Sequence, residues 1–120
     1  MLRLIFAGYA IVLFVGTHWP NLDVRGPVPR SDLWVHLAAF GLWATLATLA
    51  GFFGPALSGR NLSRTWVLGV VYACFDEGTQ AIPILGRTSA WDDLASNVLG
   101  ISLAIGVLAL LARMRRTASP

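Results

Sequence analysis

Lysine is absent from this chain, charge is scarce and cysteine occurs once; each deficit excludes a class of protein. Only 12% of residues are charged, while 56% are hydrophobic and mean hydropathy is +0.66. A soluble domain carries about 25% charged residues, so the balance points to a membrane protein. The 120 residues suffice for one domain, 1–120. All nine basic residues are arginine, and net charge is +3. They stand at the ends of apolar runs and in loops. That distribution reads as a set of topology signals and not as a nucleic-acid footprint. The lone Cys74 excludes an intrachain disulfide and a cysteine metal cluster. There is no internal repeat and no low-complexity segment. No HExxH motif is present, and Ser89, Ser96 and Cys74 lie in no recognisable nucleophile motif. Only 117–120 has the look of a disordered tail.

What is present is four apolar runs separated by turn-forming stretches. The first follows Met1-Leu2-Arg3 and predicts a helix over about 4–19. A basic start and a short apolar core suit a signal peptide, but Gly16-Thr17-His18-Trp19-Pro20 offers no small-residue cleavage site. An uncleaved membrane helix fits better, although a full span takes about 20 residues. Three prolines and a glycine make 20–31 a loop. Ser31 or Asp32 then caps a second helix over 33–53, which carries His36 and the small residues Gly41, Ala44, Ala47 and Gly51. Small residues at that spacing let helix backbones approach closely. Gly54-Pro55 ends it. A polar link, 56–65, contains Arg60, Arg64 and the sequon Asn61-Leu62-Ser63, which carries little weight on a cytoplasmic loop. The third helix is predicted over 66–82, stopped by Pro83. The fourth covers 92–112, stopped by Arg113, Arg115 and Arg116. Trp19, Trp34, Trp66 and Trp91 all fall at run ends, as an aromatic belt requires.

Arginine counts orient the bundle. Arg3, Arg60, Arg64, Arg113, Arg115 and Arg116 fall on one side, and Arg25, Arg30 and Arg87 on the other. The N-terminus, C-terminus and middle loop are therefore expected in the cytoplasm. The expected fold is an all-α integral membrane protein, a bundle of four transmembrane helices. That orientation collects the polar groups toward the outer side. Asp32/His36, Asp76/Gln80 and Asp93/Asn97 are each spaced i, i+4, so each pair shares one helix face. Asp76 is expected ~15 Å inside the membrane, counted from Trp66 at a rise of ~1.5 Å per residue. The stretch Tyr72–Gly100 thus holds four of the six acidic residues, with Arg87 between its two acidic pairs. Consecutive helical residues diverge by about 100°, so Asp76 and Glu77 cannot face the same partner. For His36, Gln80 and Asn97 the bland reading is interhelical hydrogen bonding. For Asp92 it is an interfacial position beside Trp91, and for Tyr72 and Cys74 it is packing. A charge at mid-helix costs ~3 kcal/mol on insertion scales, so Asp76 and Glu77 favour a functional reading.

The run Tyr72, Ala73, Asp76, Glu77, Gln80, Gly86, Arg87, Asp93, Asn97 and Gly100 resembles the VanZ-like family of bacterial membrane proteins. Asp32, His36 and Phe40 resemble its upstream motif. The likeness covers 32 to about 106. One departure is that Ile84-Leu85 separates Pro83 from Gly86, which puts Arg87 seven residues after Gln80 where many members have six. The resemblance implies a multi-pass protein of the bacterial inner membrane, in the cell envelope, with a part in antibiotic tolerance. It implies no particular reaction.

The expected function is therefore an outward-facing polar cleft that binds a lipid-linked or glycopeptide-like ligand through Asp32, His36, Gln80, Arg87, Asp93 and Asn97. One alternative is an intramembrane enzyme with Asp76 or Glu77 as general acid/base. Another is a small helper subunit whose polar groups only hold helices together. Arg87 is expected to fold over the cleft and pair with Asp76, Glu77 or Asp93. No cofactor and no stoichiometric structural metal are expected. The lipid bilayer is the expected partner, nucleic acid is not, and oligomeric state is left open.

Overall fold

A computed structural model describes residues 1–20, 26–82 and 90–117. These residues form four helices: α1 (Leu2–Thr17), α2 (Ser31–Ala50), α3 (Gly59–Gln80) and α4 (Trp91–Thr117). No strand occurs among the described residues. The helices alternate in direction. Arg3 near the start of α1 donates from Nε to the Ala50 carbonyl and from Nη2 to the Gly51 carbonyl, both at 3.3 Å, at the end of α2. At the opposite end, Thr17 of α1 meets Asp76 of α3, and His36 of α2 meets Asn97 of α4. One end of the bundle is thus arginine-rich, and the other holds Asp76, Glu77, Gln80, Asp93 and Asn97.

α2 and α4 form the most extensive helix–helix contact. Glycine makes it possible. A Cβ on Gly41 would stand 3.2 Å from the Gly100 carbonyl oxygen, and one on Gly100 would collide with the Leu37 backbone. Ala44 and Ala47 are buried in the same packed layer, beside Phe40, Trp43, Ala73 and Ile101. Tyr72 stacks on Phe40 and Trp43, with ring centroids 5.7 and 5.4 Å away. Tyr9 of α1 donates to the Ala39 carbonyl at 2.8 Å.

Several boundaries differ from those the sequence suggests. α2 stops at Ala50 and not at Phe53, because Gly51 adopts a left-handed conformation (φ 63°) and caps it. Gly51 therefore ends the helix, and its carbonyl accepts from Arg3 of α1. α3 begins at Gly59, seven residues before Trp66, because the Ser58 hydroxyl accepts from the Asn61 amide. The link 56–65 is helical over most of its length, and Trp66 lies inside α3, where its Nε1 donates to Ser102 at 3.0 Å. Asn61 is fully buried; it accepts from Phe53 and donates to the Thr48 and Ala56 carbonyls. The sequon is thus a structural clamp between the end of α2 and the start of α3. α4 runs on to Thr117 through its arginines, which are good helix formers and complement the negative end of the helix dipole. α1 ends at Thr17, close to the expected limit.

α2 and α4 are long and apolar enough to cross a membrane. Their apolar stretches are only 28% and 22% buried, unlike the sheathed core helix of a soluble domain. α1 is apolar but has 16 residues, and α3 has 22 but carries Arg60, Arg64, Asp76 and Glu77. The outer faces of all four expose large apolar side chains, among them Ile11, Leu42, Val71, Leu103 and Val107.

The α2–α4 approach yields a prediction. Gly100→Ala should lower thermal stability in detergent by ~1–3 kcal/mol, the usual cost of overpacking. Gly106→Ala, where an added Cβ meets nothing within 4 Å, should be neutral or slightly stabilising. Equal melting behaviour of the two variants would show that the helices are not held this close.

Candidate functional site

The sequence places Asp76 and Glu77 side by side in α3, and helical geometry sends them to different neighbours. Asp76 faces α1 and is fully buried. Its Oδ1 accepts from the Thr17 hydroxyl at 2.8 Å, and its Oδ2 accepts from Gln80 Nε2 at 2.8 Å. His18 Nδ1 lies 3.7 Å from Oδ1. On its other edge the His18 ring meets the Thr79 hydroxyl, with Nε2 at 2.7 Å. The i, i+4 spacing of Asp76 and Gln80 thus produces a direct bond between them. Both oxygens of this carboxylate are occupied.

Glu77 faces α2 and α4 and is 4% exposed. Its Oε1 accepts from Asn97 Nδ2 at 3.2 Å, and its Oε2 makes no hydrogen bond of good geometry, although the Ala90 backbone N–H also faces the carboxylate. The Asn97 Oδ1 lies 3.0 Å from His36 Nδ1. Because the amide must donate to the carboxylate, its oxygen faces the ring, and Nδ1 carries the proton that bridges them. The other ring nitrogen, Nε2, points toward Asp93 Oδ2 at 4.0 Å, beyond hydrogen-bond range. Asp93 Oδ1 is buried and unpartnered.

Asp32 sits at the rim with its side chain 41% exposed and 3.6 Å from Arg30. Arg30 also reaches Asp92 of α4 at 2.5 Å. That hydrogen bond raises the arginine's pKa, and the charge stays fixed. Arg30 is in the left-handed region (φ 56°), unusual for a residue with a Cβ. Asp92 is therefore an exposed ion-pair partner at the mouth.

The i, i+4 pairs do not converge on one point. Asp76/Gln80 turn toward α1, whereas His36, Asp93 and Asn97 gather around Glu77. Asp32 stays outside both groups. Depth differs from the expected descending series as well. Asp76 is four residues from the last residue of α3, about 6 Å along the axis, so it lies near the polar end and not at mid-helix. His36 and Asn97 are five and six residues into their helices, and together these groups form one polar layer. Arg87 lies outside the described residues, as do Gly86 and Ser89. Thr17, His18 and Thr79 are members that the sequence pattern did not reveal. Thr17 and His18 stand in Gly-Thr-His-Trp-Pro, which looks like the end of a helix and nothing more. Cys74 is exposed and not a packing residue. With Glu77, Gly78, Ala90, Trp91 and Leu94 it lines a cavity of about 280 Å³.

The VanZ/LLP1 family model matches residues 15–112. The chain belongs to the VanZ/LLP1 family. The matched span takes in every side chain of the polar layer described above. No curated protein and no solved structure matches the chain.

The closed group around Asp76 yields a prediction. In Asp76→Ala, Thr17→Val and the double variant, the Thr17–Asp76 bond should show as non-additivity of at least ~1 kcal/mol in thermal stability, since bonds to a charged group contribute ~1.5–3 kcal/mol. Strict additivity would mean that Thr17 does not hold α1 to α3.

Proposed function

We propose that this VanZ/LLP1 protein crosses the bacterial inner membrane four times and binds a donor-rich headgroup in an outward-facing polar cleft. The headgroup is that of a lipid-linked glycan or a glycopeptide-like compound, and holding it contributes to antibiotic tolerance. Glu77 carries the proposal. A carboxylate 4% exposed, with one oxygen unpartnered, is costly in low dielectric. Hydroxyl or amine groups of a sugar or peptide supply the missing donors. The cavity beside Glu77 gives access, and Trp91, 88% exposed, offers an aromatic wall at its edge.

The arginine distribution supports the orientation. Six arginines belong to the end that would face the cytoplasm, together with Met1, Thr117 and the 51–58 turn. α1 spans about 24 Å at its 16 residues, shorter than a hydrocarbon core of ~30 Å. Local thinning of the bilayer accommodates such a mismatch at small cost.

Two measurements test this reading. In a Cys74→Ala background, a single cysteine at Val28 should react with an impermeant thiol reagent applied from outside, and one at Ser58 should not. The reverse pattern would turn the cleft toward the cytoplasm and disconnect it from extracellular compounds. For the ligand, wild-type protein in nanodiscs should retain a lipid-linked glycan, and Glu77→Gln should lose affinity by about tenfold, the effect of one charge-assisted hydrogen bond. Equal retention by both proteins would remove Glu77 from binding.

A further inference from the structure

We infer that His36, Glu77 and Asp93 form a binding site for one divalent transition-metal ion at the polar end of the bundle. One donor atom of each lies within 4.8 Å of the others, from α2, α3 and α4 respectively. The inference reverses the expectation of no metal drawn from sequence, and it follows from how the donors are prepared. It does not rest on headgroup binding.

The histidine is presented in the form a metal takes. Asn97 anchors Nδ1 at 3.0 Å through its carbonyl oxygen, a role enforced because its amide nitrogen donates to Glu77 Oε1 at 3.2 Å. In the neutral ring, Nε2 then bears the free lone pair. Metal-bound histidines are held in this way, with the second nitrogen fixed by an acceptor. A single asparagine here orients two ligands on different helices.

Nε2 and Asp93 Oδ2 then face each other at 4.0 Å as two acceptors. They cannot hydrogen-bond in that state. A cation between them resolves the conflict. Donors on a tetrahedral zinc, at ~2.0–2.1 Å from the metal, stand about 3.3 Å apart. Closing from 4.0 Å requires well under 1 Å of movement by the Asp93 carboxylate, which is 16% exposed.

Glu77 supplies the independent observation. It is 96% buried by its 4% exposure, and Oε2 has no partner. Asp93 Oδ1 is likewise unpartnered. Two carboxylates and a neutral imidazole also balance a divalent charge, which leaves a neutral assembly in a low-dielectric setting. One nitrogen and carboxylate oxygens suit zinc or manganese better than a soft thiophilic ion. Three protein ligands leave a position open, as in catalytic zinc sites.

The test uses the full chain in nanodiscs with Cys74→Ala, and zinc and cobalt(II) salts as probes. Metal-depleted protein should take up one zinc per chain by calorimetry. Cobalt should give the visible bands of a low-coordinate nitrogen–oxygen site. His36→Gln, Glu77→Gln and Asp93→Asn should each weaken zinc binding at least about tenfold and abolish the cobalt bands. Asp93 is the least buried of the three, so Asp93→Asn tests the site even where changes at His36 or Glu77 prevent folding; circular dichroism confirms the fold of each. Uptake far below one ion per chain overturns the inference. So does uptake that survives Asp93→Asn unchanged, which would place the ion elsewhere, for example on His18.

Discussion

The contact between the α2 and α4 backbones at Gly41 and Gly100 is the constraint on which the polar end depends. An added Cβ on Gly100 has no room against Leu37. Asn97 lies one turn from Gly100, and His36 adjoins Leu37. Backbones this close leave the two side chains no choice but to meet, and they do so at 3.0 Å. A wider separation would put the amide out of reach of the ring, and Asn97 would lose the contact that fixes which way its amide turns toward Glu77. The small-residue packing of the helix interface and the chemistry of the layer are therefore one feature of the fold. Membrane helices gain little from burying apolar surface against each other, so close backbone approach and interhelical hydrogen bonds carry more of the association.

The second constraint is the pair Asp76-Glu77. Adjacent carboxylates on one helix diverge by about 100°, and each must find its own partners. α1 provides them for Asp76 through Thr17, and Gln80 completes the set one turn along α3. α1, which is short and otherwise loosely engaged with α3, ends at this contact: its last residue, Thr17, is the donor. Glu77 looks the other way and receives one donor from α4. The same dipeptide thus generates a closed group that joins helices and an open one beside a cavity.

Much of this was legible in the sequence because the relevant signals are local or periodic. Four apolar runs appear as four helices. The i, i+4 spacing of Asp76 and Gln80 appears as a hydrogen bond. Adjacent helical positions about 100° apart send Asp76 and Glu77 to different neighbours. The losses have physical causes too. The start of α3 was hidden because Arg60, Asn61 and Arg64 read as a loop, whereas Ser58 caps a helix whose first turns can be polar outside an apolar span. Gly51 reads as a packing residue because small-residue spacing does not distinguish a close contact from a left-handed cap. Trp66 reads as a helix end only while those polar turns read as a loop. Thr17 and His18 are not legible in the sequence, because a threonine and a histidine beside a proline carry no periodic signal. Their role exists only once α1 lies against α3.

The distinction between the two carboxylates bears on what chemistry the layer can support. A general acid or base must exchange its proton with a reacting group within hydrogen-bond reach. Asp76 has both oxygens committed to protein donors and no exposure, so a substrate could reach it only by displacing Thr17 or Gln80. Displacing Thr17 would also loosen α1. Glu77 has a free oxygen and borders the cavity, so a headgroup donor, a proton or a metal ion can engage it without dismantling the bundle. Stability and reactivity are divided between neighbours in sequence: α3 uses one carboxylate to hold the helices together and leaves the next available. An acid–base reaction at this end of the bundle would therefore run through Glu77, with Asn97 fixing its orientation and Asp76 remaining a spectator.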